Sequence, residues 1–326
     1  MAPRPDIAAL ARTLRTSKGL NDKAEISLAT SALGVSAATA VPVGDDCAAI
    51  PDSDGYLLFA VEGFMNEFVA GDPWFAGWCG AMVNISDIAA MGGRPTAIVN
   101  ALWSDGARNA EPVLRGLRDA SERYGVPIVG GHTNLHNDRG QLSVAIVGRA
   151  KKLLTSFDAK PGDRLVMAVD LRGRYRDPFS NWEAATDAPA LRLRGDLDVL
   201  PDIAEAELSR AAKDISQGGL VGTAVMLAEC SGVGITIDVT AVPMPPGVEL
   251  PRWLTTFPSF GYLLAVVPAD VEAVIARFAQ RDIACADIGA ISRGTSVSIT
   301  DGTATETIWD FAAKPLLGCA LKESAA

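Results

Sequence analysis

One segment limits what this chain can fold into. "WFAGWCGAMVNISDIAAMGG", Trp74 to Gly93, is almost wholly apolar or small, and only Asn84, Ser86 and Asp87 are distinctly polar. Asp72 before it supplies a helix N-cap and Pro73 suits the first helical position. Gly92-Gly93, with Pro95 beyond, stops it. The helix so defined packs its apolar residues, yet it carries a carboxamide and a carboxylate three residues apart, on one face. A carboxylate on such a helix costs desolvation unless something partners it.

The flanking sequence supplies elements for it to pack on. "GYLLFAVEGF" and "TAIVNALW" read as strands, residues 109–124 as a helix, and "GVPIVGG" and "QLSVAIVGRA" as strands on either side of a loop, "HTNLHNDRG". Near the N-terminus, residues 6–15 read as an amphipathic helix, "TSKGLNDK" as a loop, and "VPVGDDCAAIP" as a strand running into an acidic turn. "DAKPGD" is turn chemistry, and it sets a boundary between a domain of residues 1–157 and one of 158–326. The second half opens on the strand "RLVMAVDL" and passes through an irregular, arginine-rich excursion over 172–200. It continues with the helix "GGLVGTAVMLAECSG", capped by Gly232, and further strands and a helix. Helices alternate with strands in both halves, so the expected class is α/β or α+β in two domains.

A net charge of −10 argues against a general nucleic-acid binder, because phosphate backbones are held by basic surface. It leaves room for a nucleotide site in which a cation neutralises local charge. The five cysteines, at 47, 79, 230, 285 and 319, are odd in number and widely spaced, and form no CxxC. They read as reduced thiols of a cytoplasmic protein. The N-terminal residues have no apolar signal core, and no run is long enough to span a membrane.

Acidic residues sit at the ends of apolar elements: Asp45-Asp46 in the turn, Glu62 at the end of "LLFAVE", Asp87 on the helix and Asp214 in "AAKDISQGGL". A hard cation satisfies several carboxylates at once, and Mg2+ takes few of them, completing its shell with water and phosphate oxygens. The two histidines, His132 and His136, fall in the expected loop and so do not form a helical zinc pair. Gly130, Gly131 and Thr133 better suit contact with phosphate or ribose. Neither GxxxxGK[ST] nor GxGxxG occurs.

Taken together and in order, "GDDCAAI" (44–50), "NISDIAAMGGRP" (84–95), "VGGHT" (129–133), "AKPGD" (159–163) and "DISQGGL" (214–220) resemble the signature blocks of the aminoimidazole ribonucleotide (AIR) synthetase superfamily. That superfamily includes thiamine-monophosphate kinase and selenophosphate synthetase. The chain as a whole looks most like an AIR synthase-related branch. The resemblance implies an N-terminal α/β domain that binds ATP and forms a barrel-like homodimer through its sheet, followed by a C-terminal α/β domain. It implies Mg2+ held by Asp45, Asp46, Asp87 and Asp214, with Glu62, Asn84, Gly130, Gly131, His132 and Thr133 around ATP. Lys18, in "TSKGL", joins the nucleotide residues because selenophosphate synthetase carries a lysine in a glycine-rich N-terminal loop. Gln217 and Gly218, with Arg172 and Arg174 of the excursion, are candidates for holding an anionic small-molecule acceptor.

The chain also departs from the kinase pattern. His132 stands where that kinase has Asp, Gln217 replaces the second Asp of "DISDG", and Glu62-Gly63 replaces Asp-Thr. The implied activity is phosphoryl transfer from ATP to a small-molecule oxygen, most like thiamine-monophosphate kinase. AIR synthetase-like ATP-dependent cyclisation or dehydration, and a nucleotide-binding subunit without turnover, remain open. No side chain is singled out as catalytic.

Overall fold

The computed structural model describes residues 5–33 and 41–319. In chain order the elements are α1 (Ile7–Arg15), α2 (Lys18–Asp22), α3 (Glu25–Leu33), β1 (Ala48–Asp52), β2 (Gly55–Phe64), α4 (Asn66–Gly71), α5 (Pro73–Ala90), β3 (Arg94–Asp105), α6 (Ala107–Tyr124), β4 (Ile128–Asn134) and β5 (His136–Ala150). They continue with β6 (Arg164–Val169), β7 (Arg174–Tyr175), β8 (Asn181–Glu183), α7 (Ala190–Leu197), α8 (Val199–Glu205), β9 (Ala211–Asp214), α9 (Gly219–Ser231) and β10 (Gly234–Asp238). The last are α10 (Leu250–Leu254), β11 (Phe257–Pro258), β12 (Gly261–Val266), α11 (Val271–Ala279), β13 (Ala284–Ser292), β14 (Ser296–Thr300) and β15 (Thr305–Asp310). This is the mixed α/β class the sequence implies.

Two compact units form, and neither is one continuous stretch. The first gathers residues 46–152 and 185–202; the second gathers the described parts of 1–45, 153–184 and 203–326. The sequence reading cut the chain once, at 157/158, whereas the chain changes unit at 45/46, 152/153, 184/185 and 202/203. Turn chemistry marks where the backbone bends, and long-range packing is what decides which segments belong together.

The first unit is a five-stranded sheet, ordered β1-β2-β5-β3-β4, antiparallel except for the β3–β4 pair. Its inward residues Leu58, Ile98, Leu102, Val144 and Ile146 are buried. Against that face lies α5, opened by Asp72, whose carboxylate accepts from Phe75 N–H, and by Pro73 at its N-terminus. It is buried all round from Phe75 to Ile85 and again from Asp87 to Ala90. Glycines let α6 cover its other side: a Cβ on Gly77 would collide with the Val113 carbonyl, and one on Gly116 with the Trp74 carbonyl. The Trp74 indole N–H donates to Asp119 at 2.9 Å and joins the same two helices. Burial works to raise the Asp119 pKa, but that bond and neighbouring Arg118 outweigh it and hold the carboxyl below its ordinary value. Its stabilising contribution is therefore present above the ordinary carboxylate range and lost as pH falls through the lowered value.

Segment 185–202 packs onto the same unit. Arg194 donates to the carbonyls of Glu122 and Arg123 at the end of α6, and Arg123 donates to the Ala188 carbonyl. Among the described residues, no helix is long and apolar enough to cross a membrane.

The second unit is built on a seven-stranded sheet, β15-β14-β10-β13-β6-β12-β9, with a small sheet of β7, β8 and β11. α9 is its central helix, buried from Gly219 to Cys230 and stopped by Gly232 in the left-handed region. Two sequence expectations are corrected here. "TSKGLNDK" contains the helical turn α2 rather than a continuous loop. In "VPVGDDCAAIP" the strand follows the acidic turn, at β1, instead of preceding it.

Replacing Gly77 with Ala is expected to destabilise the chain by roughly 3 kcal/mol, because the new methyl meets backbone that cannot move aside without parting α5 from α6. Urea unfolding of the two proteins measures this; an unchanged midpoint would refute the close helix contact.

Candidate functional site

In the first unit, the polar notch on α5 is buried. Asn84 has no exposure and Asp87 is 5 % exposed. Asn84 Nδ2 donates to the Gly80 carbonyl at 2.8 Å, while its Oδ1 is buried and accepts no hydrogen bond from the described residues. One turn along, Asp87 presents a carboxylate oxygen within 4.8 Å of one from half-buried Asp46, just before β1. Two carboxylates that close repel unless a proton or a cation lies with them. An orphaned buried acyl oxygen on the same helix face adds a third hard donor. This donor set fits an oxygen-seeking divalent cation.

The sheet adds polar residues beneath the helix. Glu62 on β2 pairs with Val144 on β5, Val144 with Asn100 on β3, and Asn100 with Gly131 on β4, so the four form one inward-facing row. Val144 is the residue that Gly80 of α5 rests on. Glu62 and Asn100 therefore flank the helix at the turn preceding Asn84. Asn100 is not among the candidates the motifs single out, although a signal exists: in "TAIVNALW" the inward positions Ile98, Asn100 and Leu102 alternate, and a carboxamide interrupts them.

The segment expected to be a loop, "HTNLHND", is strand. It belongs to β4 and β5, with Leu135 alone between them. Alternation then divides the expected nucleotide residues. Gly131 and Thr133 share the inward side, paired with Asn100 and Leu102, whereas Gly130 and His132 pair with Val99 and Ala101 on the outward side. The His132 ring lies 5.9 Å from that of Trp103 there, on the face away from α5. His132 is thus not brought to the Asp87 notch within this unit.

The outward face also carries an apolar group, alongside the polar Gln141, Ser143 and Arg149. Ile50, Phe59, Val61 and Val99 are 40–62 % exposed, and the register Ile50–Leu57 and Val61–Ala145–Val99 places them on one side.

In the second unit, Asp45 is already engaged. Its two oxygens accept from Ser156 N–H and Ser156 Oγ, both at 2.7 Å. That bonding makes Asp45 an anchor of the turn, and Asp46 is the member of the pair whose carboxylate oxygen approaches that of Asp87. Asp214 ends β9, 5 % exposed, and its carbonyl accepts from Thr223 on α9. Beside it Lys213 is buried, a charged group the sequence reading passed over. Gly19 of α2 lies against the Gln217 carbonyl and Gly218, so exposed Lys18 stands next to the turn that follows Asp214. Lys18, Gln217 and Gly218 are thereby brought together.

The arginines of the excursion serve structure more than expected. Arg172 binds buried Asp170 through its backbone N–H and guanidinium, at 2.8–3.2 Å, and donates to the Arg281 carbonyl. These bonds hold its guanidinium to Asp170 and the Arg281 carbonyl. Arg174 stands exposed on β7, opposite Glu183.

Comparison with known proteins follows these lines. Residues 44–150 match the family model described as AIR synthase related protein, N-terminal domain, and residues 179–302 match the corresponding C-terminal domain. The chain is 47 % identical, over 86 % of its length and 87 % of the relative's, to uncharacterized protein sll0787 of Synechocystis. It is 27 % identical to the phosphoribosylformylglycinamidine synthase subunit PurL of Methanosarcina barkeri, matching 78 % of this chain but 39 % of that one. Among solved structures, PurL of Thermotoga maritima complexed with ATP superposes with TM-score 0.71 at 18 % identity, over 83 % of this chain and 46 % of that one. AaThiL complexed with AMPPCP and TMP superposes with TM-score 0.67 at 22 % identity, over 90 % of this chain and 98 % of that one. These likenesses confirm the two-domain AIR synthetase-like fold.

Substituting Asn84 with Leu removes the orphaned oxygen at similar volume, so stability should stay within about 1 kcal/mol of the parent or rise. A loss of several kcal/mol on chemical denaturation would show that Oδ1 is satisfied in the folded protein and would remove Asn84 from the candidate donors.

Proposed function

The chain belongs to the AIR synthase-related family, and from that premise we propose that it is an ATP- and Mg2+-dependent enzyme that phosphorylates an oxygen of a small molecule. The observation that carries this reading is the close approach of the Asp46 and Asp87 carboxylates beside the orphaned Asn84 oxygen on a buried helix. Bound Mg2+ would neutralise charge on the phosphates there. Asp46 and Asp87 would hold it, with Asn84 as a further oxygen donor. Asp214 is proposed as a ligand on the sequence resemblance alone. Asp45 acts as the anchor of the ligand turn through Ser156. Glu62, Asn100, Gly131 and Thr133 are the inward-facing residues proposed to meet ATP; Lys18 and the Gln217-Gly218 turn are proposed as phosphate or acceptor contacts on the sequence resemblance alone.

Phosphoryl transfer asks little covalent work of side chains; positioning and charge neutralisation supply most of the rate. That suits a chain whose candidate residues are acidic and polar, without an evident nucleophile. Support for ATP comes from the fold neighbours whose solved complexes hold ATP and AMPPCP. Within this family the proposed chemistry is most like thiamine-monophosphate kinase, with a small anionic acceptor of which Arg174 remains a candidate contact. AIR synthetase-like activation of a carbonyl oxygen uses the same ATP chemistry and is the alternative. The exposed apolar sheet face is proposed to pair with a second copy of the chain, because a patch of this kind is best hidden in an isologous interface.

Titration calorimetry with ATP tests the site. Binding should require Mg2+ and weaken by about tenfold or more in Asp87→Asn. An unaltered Kd in that variant would refute the ligand assignment, and no binding by the parent under any condition would sink the function. For the dimer, Val61→Lys should convert a two-chain mass to a one-chain mass in light scattering; a monomeric parent would refute the pairing.

A further inference from the structure

Two thiols lie outside the proposed chemistry and face each other. Cys230, near the end of α9, and Cys319, near the end of the described chain, have their sulfurs 3.2 Å apart, and both are free. They are brought together by the residue before Cys230. Buried Glu229 accepts the backbone N–H groups of Leu316, Leu317 and Gly318 at 2.6–3.2 Å, which folds the late segment back over α9 and delivers Cys319 to its partner. Three successive N–H groups on one carboxylate make this a built approach rather than a chance one.

The same end of α9 holds the acidic turn. Cys230 Sγ lies 3.7 Å from the Gly44 carbonyl oxygen, and a Cβ on Gly44 would touch both Cys230 and Cys319. Ser231 donates to the Ser156 carbonyl, and Ser156 clamps Asp45. Consecutive residues 229, 230 and 231 thus fasten the late segment, the thiol pair and the Gly44-Asp45 turn to one helix end.

We propose that Cys230 and Cys319 are a redox modification site, closing to a disulfide that tightens the acidic turn. The oxidant is a low-molecular-weight disulfide. Cys319, the less buried sulfur, attacks it, forming a mixed disulfide and releasing one small thiol. Cys230 then attacks the Cys319 sulfur, the protein disulfide forms, and its proton leaves with the second small thiol. The protein loses two electrons and two hydrogens, and the small disulfide gains them. Hydrogen bonding to Cys319 and burial hold the Cys230 thiol well above its ordinary pKa, so it resolves rather than initiates. Closure brings the sulfurs from 3.2 Å to a bond of about 2.05 Å, and Gly44, resting on both residues, follows. Cys285, whose thiol burial pushes up to about 12, is an internal bystander. A tightened turn is expected to change the affinity for Mg2+-ATP, and that regulation rests on the proposed metal role of the acidic turn; the disulfide itself does not.

The test treats the full chain with oxidised glutathione under native conditions. Peptide mapping should link residues 230 and 319 with no glutathione retained, Tm should rise by roughly 5 °C, and dithiothreitol should reverse both. Hydrogen exchange at the Ser156 amide should slow on oxidation, and Cys319→Ser should abolish every change. A retained glutathione adduct, a different cysteine pair, or no reaction overturns the disulfide. Unchanged exchange at Ser156 overturns the coupling to the turn. Equal Kd values for Mg2+-ATP in oxidised and reduced protein overturn the regulation, whereas a reduced protein that binds no ATP overturns the proposed function and leaves the disulfide result standing.

Discussion

The burial of α5 is the constraint on which the first unit depends. A helix hidden on nearly every side needs a sheet beneath it and another helix above it, and both must come close enough to exclude water. Gly77 and Gly116 permit the upper contact, and Gly80 resting on Val144 permits the lower one. Once that sandwich is closed, Asn84 and Asp87 keep almost no contact with bulk water, and their polar atoms are met by the protein or by something it binds. Asp46 arriving beside Asp87 sharpens the demand, since two anions in low dielectric repel more strongly than they would in solvent. Packing therefore creates the electrostatic need that the proposed cation would answer.

The second unit solves a different problem with the same device. Glu229 is a fully buried carboxylate, yet it asks for no cation, because three backbone N–H groups of residues 316–318 satisfy it. Burial alone therefore does not mark a ligand site, because backbone N–H groups can meet a buried carboxylate in full. Asp45 makes the same point, since its bonds to Ser156 turn it into an anchor. Arg172 follows suit, committed to Asp170 and a carbonyl rather than standing ready for an acceptor.

Much of the fold was legible in the residues. Asp72-Pro73 and Gly92 bounded α5, Gly232 ended α9, and the apolar runs of β2, β3 and β5 read as strands. The failures share one cause, which is that local chemistry competes with distant pairing. Gly-Gly and Asn around His132 favour a turn in isolation, yet β3 offers a ladder that makes strand of them. Residues 185–202 follow turn chemistry that suggested a second domain, but Arg194 binds them to the end of α6.

By itself the sequence determined the α/β class, the buried helix with its polar notch and the family blocks, because these depend on residue type and short-range spacing. Only the tertiary structure decided which of those residues meet. Adjacent Asp45 and Asp46 receive different roles, His132 turns to the outward face while Gly131 stays inward, Asn100 joins Glu62 in one row, and Cys230 finds Cys319 across 89 positions of chain. Strand register and long-range contact set these outcomes, and neither is written in any local stretch: a shift of one residue in pairing reverses every side chain on a strand.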